Sequence, residues 1–296
     1  MKKLGLTIVG LSLSGVALAD GSAFQNKLTD AEIVSPAQTY QVAKGQADFE
    51  IGMNQTTEDT SGAELEKSTQ ALTGSVVFSA GKTKLGVTAG TSSFTDDSDL
   101  DVKQNSVIVT PNASIVVGPV SLGLAVELNH SNSENANDSS KSRTYYRPTL
   151  GALYFNNKLE AGAFYTSEVD ETGDEDKLNV REAAVYGVHG RFAVTDSVAL
   201  GLIASQTLES DLVNEADDVQ SYVATAELAV APAIKVSGLV GMEQEGDADT
   251  YTVGGGVDYK VSETLAVGGR YEYNTLDEDE TEVTGHELGI QMTTMF

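Results

Sequence analysis

Alternation of apolar and polar residues runs through most of the chain. In "VSLGLAVELNH", Val120, Leu122, Leu124, Val126 and Leu128 share one parity, and Ser121, Gly123, Ala125, Glu127 and Asn129 the other. "LAVGGRYEYN" separates Leu265, Val267, Tyr271 and Tyr273 from Ala266, Gly268, Arg270, Glu272 and Asn274. "KLGVTAGT" and "SYVATAELAV" repeat the pattern, and so does the closing "GHELGIQMTTMF", where Leu288, Ile290, Met292, Thr294 and Phe296 share a side. Successive side chains of a strand point to opposite faces. A period of two therefore predicts strands with one apolar face and one small or polar face.

Two kinds of connector join these strands. Short turns are predicted at Gly81-Lys82, Gly118-Pro119, Asn156-Asn157, Thr195-Asp196, Ala231-Pro232 and Ser262-Glu263. Between them lie longer acidic stretches, including "TEDTSGAELEK", "DETGDEDK" and "LDEDETE". From Gly45 to Phe296 this punctuation marks out about seven hairpins, hence about fourteen strands, with 12 or 16 as alternatives. Short turns on one rim and longer loops on the other are the organisation of an all-β, antiparallel up-and-down transmembrane barrel. Segments of about 10 residues suit a tilted crossing. Closure also removes the unpaired edges that hydrocarbon penalises by several kcal/mol per group. A seven-bladed soluble propeller competes with this reading. Its blades, however, need four strands in about 40–45 residues each, and the units here offer two long ones.

Composition narrows the chemistry. The absence of cysteine excludes a disulfide scaffold, thiol catalysis and cysteine-based metal sites. A net charge of −26 argues against a nucleic-acid surface, which needs clustered Lys and Arg. "MKKLGLTIVGLSLSGVALA" has two lysines, a short apolar stretch and small residues at Ala17 and Ala19, the layout of a signal peptide over residues 1–19. Residues 20–44 lack alternation. They fit a periplasmic segment, an extension of the first strand or a short segment entering the lumen, and are taken as periplasmic, with the barrel over residues 45–296.

The two ends and the hairpin series together resemble Gram-negative outer-membrane β-barrel proteins, in length and hairpin count most like the monomeric porins of the OmpG type. The resemblance implies an outer membrane, with its lipid and lipopolysaccharide as surroundings. It also implies that the terminal strand, with Leu288, Ile290, Met292 and Phe296, is read by the outer-membrane assembly machinery. Tryptophan is absent, so an aromatic girdle must come from Tyr146, Tyr154, Tyr186, Tyr222, Tyr251, Tyr259, Tyr271, Tyr273, Phe192 and Phe296.

A barrel this wide lies nearer the channel-forming limit than the side-chain-filled one. Its predicted inner faces carry small residues such as Gly86, Thr88, Gly90, Thr252, Gly254 and Gly256, and no connector is long enough for an infolded constriction loop. The expectation is an open pore for passive diffusion of small hydrophilic solutes or ions, as a monomer, with no cofactor, metal or catalytic residue. Parity nominates the pore-lining charges. Glu127, Arg147, Arg270, Glu272 and Glu287 fall near mid-height, Arg143 and Arg181 higher, and Lys84, Glu160, His189, Arg191, Lys235, Asp258 and Lys260 nearer the turns. The sixth and eighth strands, with Arg143, Arg147, Arg181, His189 and Arg191, should form a basic wall. The first, thirteenth and fourteenth carry Asp48, Glu50, Glu272 and Glu287, with Arg270 among them. Opposed walls of this kind set up a transverse field that sorts ions. The simpler reading is local neutralisation, for example of Glu127 by Arg147 across the ladder.

Other functions are less well supported. The acidic connectors offer hard oxygen ligands for divalent cations but lack a dedicated calcium-loop pattern, and read better as a negative rim. "NHSNS" resembles the H-x-S-N signature of outer-membrane phospholipases, in which His and Ser stand two apart on one face. Here Ser131 directly follows His130, which places them on opposite faces. His130 and His286, near the outer rim, make no specific protease set with the acids around them. A non-conducting structural or adhesive barrel is the alternative to a channel, with a lipolytic enzyme behind it.

Overall fold

The computed structural model describes residues 35–41, 45–60, 63–96, 102–135, 138–171, 178, 180–207, 219–245, 248–278 and 281–295. The expected signal peptide, Phe296 and most of the acidic loop tips lie outside the described residues. Strands β1 (Gly45–Thr60), β2 (Ala63–Ala80), β3 (Thr83–Asp96), β4 (Val102–Val117), β5 (Val120–Asn135), β6 (Asp138–Phe155) and β7 (Leu159–Thr166) form half of the wall. Two short strands follow, β8 (Val169–Glu171) and β9 (Val180–Glu182). The wall resumes with β10 (Val185–Ala193), β11 (Val198–Thr207), β12 (Val219–Ala231) and β13 (Ile234–Glu245), then β14 (Ala248–Ser262), β15 (Leu265–Glu278) and β16 (Thr281–Met295).

Fourteen of these strands close one antiparallel barrel, while β8 and β9 pair only with each other. The terminal strand seals it: β16 pairs with β1 from Gln46 opposite Met295 to Thr60 opposite Thr281. The short turns fall where the sequence places them. Gly81 and Gly118 adopt φ of 65° and 61°, the left-handed region that glycine enters without a Cβ penalty. Asn156 Oδ1 accepts the backbone N–H groups of Lys158 and Leu159 at 2.9 and 3.0 Å, which closes the β6–β7 turn.

Alternation resolves into an outside and an inside. On β5, Leu122, Leu124 and Leu128 are 45–50% exposed on the outer face, whereas Ser121, Ala125 and Asn129 are buried on the inner one. This inverts the pattern of a water-soluble domain and suits hydrocarbon on the outside, where each large apolar side chain gains about 1.5–3 kcal/mol relative to water. Exposed tyrosines stand on the same face and satisfy their hydroxyls locally. Tyr186 donates to Gln206 Oε1 at 2.7 Å, Tyr222 to Gln220 Oε1 at 3.1 Å, and the Tyr271 hydroxyl lies 2.7 Å from His286 Nδ1. A ring in hydrocarbon with a wet polar tip is the role of an interfacial girdle. Tyr165, 44% exposed, belongs with it and was not among the residues nominated.

Two departures from a plain barrel shape the interior. The first concerns the segment assigned to the periplasm: residues 35–41 lie instead inside the barrel. There the 3-10 helix η1 (Pro36–Gln41) packs against β4, β5 and β6 near the turn end. Gly123 and Gly151 make its berth, because a Cβ at 123 would meet the backbone of Pro36 and Ala37, and one at 151 would meet Ser35 Oγ. The segment braces itself, with Gln38 N–H donating to Ser35 O and Gln38 Oε1 accepting from Ser35 N–H, both at 3.0 Å. Buried Ser35, Ala37 and Gln38 show how closely it is held.

The second departure is a break in the wall. Both strands of the β7–β10 hairpin leave the ladder at one level, at 167–168 and 183–184, and the inward parity changes there: Thr166 and Val169 are both buried. Beyond the break β8 lies against β6, and Leu178 N–H, between β8 and β9, reaches Ser142 O at 3.5 Å.

Candidate functional site

Near the turn end, charged side chains form a belt along the inner wall. Arg191 on β10 lies 3.5 Å from Glu227 on β12 and stands opposite Glu160 on β7 in register. Lys235 on β13 sits between Glu227 at 3.4 Å and Asp258 on β14 at 3.3 Å. Arg191, Glu227 and Lys235 are all buried. Buried ions persist only where partners repay their lost hydration, and this alternation supplies the partners. Glu227 holds the belt together and was missed in the sequence, although the alternation of "SYVATAELAV" sets it on the inner face. His189 lies above the belt, buried, with its ring where a side chain at Gly162 would otherwise stand.

Toward the loop end, β4–β6 carry a buried polar network. Ser106 and Ser131 hydroxyls lie 3.0 Å apart, Ser131 donates to Asn129 Oδ1 at 3.0 Å, and Asn129 Nδ2 donates to the Tyr145 hydroxyl at 2.8 Å. Arg147, directly opposite Glu127 in register, crosses from β6 to the broken hairpin. Its Nε donates to Ser167 O at 2.9 Å and its Nη2 to Ala183 O at 2.7 Å, joining both break points from the inside. Arg143 is buried on the same row.

The expected basic wall therefore takes a different form. Arg191 is matched by carboxylates, Arg147 is anchored on backbone carbonyls, and Arg181 lies on β9, outside the barrel ladder and opposite Asp170. Asp48 and Glu50 hold the expected places on β1, opposite Ser75 and Thr73 of β2. Lys84 donates to Ser79 Oγ at 2.6 Å, and Lys260 pairs with Glu263 at 3.1 Å beside the β14–β15 turn. His130 and Ser131 do stand on opposite faces. The former is exposed, 2.8 Å from Thr144 Oγ1, and the latter belongs to the buried network.

The wall of β13–β16 differs from the rest. Gly254, Gly256, Asp258, Gly268, Arg270, Glu272 and Glu287 are half-exposed on its inner face. Glu272 stands directly opposite Glu287 in register, and Arg270 Nη2 meets Glu287 Oε1 at 2.9 Å. A Cβ at Gly254 would lie 2.7 Å from Glu272 Cγ, and one at Gly256 3.6 Å from Arg270 Cβ, so glycines give these long side chains room to lie along the wall. Ser237, Leu239, Gly256, Asp258, Arg270 and Glu272 together line a recess.

Residues 73–279, most of the chain, match the Gram-negative porin family. The chain belongs to that family. This porin is accordingly an outer-membrane β-barrel protein of a Gram-negative bacterium, and its barrel is of the channel-forming kind. No curated protein sequence matches it. Solved structures share the fold at low identity. The "CymD monoaromatic hydrocarbon channel" is 13% identical with a TM-score of 0.72, over 89% of this porin and 92% of that chain. A Pseudomonas aeruginosa FadL homologue is 12% identical with a TM-score of 0.74, over 90% and 93%. The Ralstonia pickettii toluene transporter TbuX is 11% identical with a TM-score of 0.70, over 90% and 93%. The finer likeness to OmpG-type porins is not supported.

Proposed function

We propose that this porin is a passive channel for small hydrophilic solutes or ions, whose route runs along the inner wall of β13–β16. The observation that carries the reading is the chemistry of the inner face. Ser75, Thr88, Thr110, Ser114, Thr225, Gln291 and Thr293 face inward together with the charged belt, and among the described residues the half-exposed inner charges gather on the β13–β16 wall, with Glu127 on β5 besides. A polar inner surface lowers the cost of a hydrated solute and offers little to a hydrocarbon. The reading involves no chemical step and no resident cofactor. Lipopolysaccharide and the assembly machinery are the expected partners, and the expected state is a monomer.

A second reading, passage of small hydrophobic molecules, draws on the hydrocarbon channel and toluene transporter among the structural neighbours and on inward Tyr145, Leu153, Phe164 and Ile203. Those four are less than 10% exposed, as are the inward serines and threonines, so the half-exposed charges of β13–β16 and Glu127 are what favour the first reading. Swelling of proteoliposomes in isotonic sugars separates the two. The hydrophilic reading predicts swelling that slows as the sugar grows. Absence of swelling, with toluene entry accelerated in the same vesicles, would favour the second.

A further inference from the structure

Burial divides the luminal charges unevenly. Among the inner-wall side chains whose burial is described, basic Lys84, Arg143, Arg147, Arg191 and Lys235 are buried, whereas of the acidic ones only Glu160 and Glu227 are. Among the described residues, the half-exposed inner charges include Glu127, Asp258, Glu272 and Glu287 against Arg270 and Lys260. Lys260 is held by Glu263, Asp258 by Lys235, and Arg270 and Glu287 by each other, which leaves Glu127 and Glu272 outside these ion pairs. Formal counting makes the inner wall nearly balanced; the surface that touches water is acidic. A solute in water responds mainly to charges within about a Debye length, roughly 8–10 Å at moderate salt, and most strongly to those it can touch.

Glu272 stands out in this set. It lines the β13–β15 recess beside Arg270, opposite Glu287, and its stem lies along Gly254. Arg270 donates to Glu287 and also stands close enough to Glu272 to act on it electrostatically. We propose that this recess is a cation-selecting site in the lumen, with Glu272 as the carboxylate that meets a passing monovalent cation or small organic ammonium ion. Arg270 acts as a positioning residue, holding Glu287 aside so that two facing carboxylates coexist at one level. The proposal rests on the channel reading above and names the class of solute it favours.

The chain contains no cysteine, so Glu272→Cys supplies a single attachment point. The folded full-length protein in a planar bilayer under a KCl gradient should prefer potassium to chloride. Glu272→Cys should lower the permeability ratio by roughly two- to fivefold, the size of one unit charge acting across about 4 Å of water. A thiosulfonate reagent that adds a sulfonate should restore the preference, and one that adds trimethylammonium should move it toward chloride. Should the cysteine variant not fold, Glu272→Gln should show the same fall and Glu272→Asp the wild-type ratio. Chloride preference in the wild type, or a reversal potential indifferent to these changes, overturns the proposal and leaves the channel reading standing. A folded barrel without conductance overturns both.

Discussion

Glycines at 123 and 151 illustrate how single residues set the interior. Each is an ordinary strand position on its own element, yet a side chain at either would strike the 35–37 segment. Gly151→Leu is expected to unseat η1 while the barrel still closes, and single-channel conductance should rise. An unchanged conductance would show that η1 does not obstruct the route. In the charged belt, Glu227→Ala removes the carboxylate shared by Arg191 and Lys235. Leaving buried charges short of a partner costs about 3–5 kcal/mol, so the variant should lose its compact form at a lower temperature on unheated gels. The residue types at these places were legible in the sequence, and parity gave their face. Their partners were not, because Arg191 and Glu227 meet only through the registers of β10, β11 and β12.

Among the elements, the hairpin from β7 to β10 is the exception to a regular wall. Pro111 on β4 and Pro148 on β6 stand at the level of Val126 on β5, and Pro148 O accepts the last wall bond, from Ser167 N–H at 3.0 Å. Each proline removes a donor from the ladder, so the sheet is weakest on the line that ends at the break. Arg147 ties the two loose ends together. Arg147→Ala should release β8 and β9, seen as faster protease cleavage between them and as added flicker in single-channel current. Equal cleavage rates would show that the guanidinium holds nothing in place. The six short turns and the fourteen wall strands were readable because Gly, Pro, Asn, Asp and Ser mark the turns and alternation continues between them. The break was hidden because alternation persists on both sides and only its parity changes. No pattern places residues 35–41, because seven residues carry no period and Gly123 and Gly151, which make their berth, lie more than eighty residues away.

For the molecule as a whole, the account requires lipid on the outside and a polar passage within. Leu202 is 56% exposed midway along β11 on the outer face. Leu202→Arg should destabilise the barrel in lipid by about 2–4 kcal/mol if that level is the bilayer midplane, as urea titrations of the protein in vesicles would report. A change near zero would place the outer face in water. The central claim is that the lumen conducts. The most direct test is the current through a planar bilayer containing the purified protein, its folded state first confirmed by heat-dependent gel mobility. Discrete, ohmic conductance steps carried mainly by cations are expected. A correctly folded barrel that passes no current would contradict it.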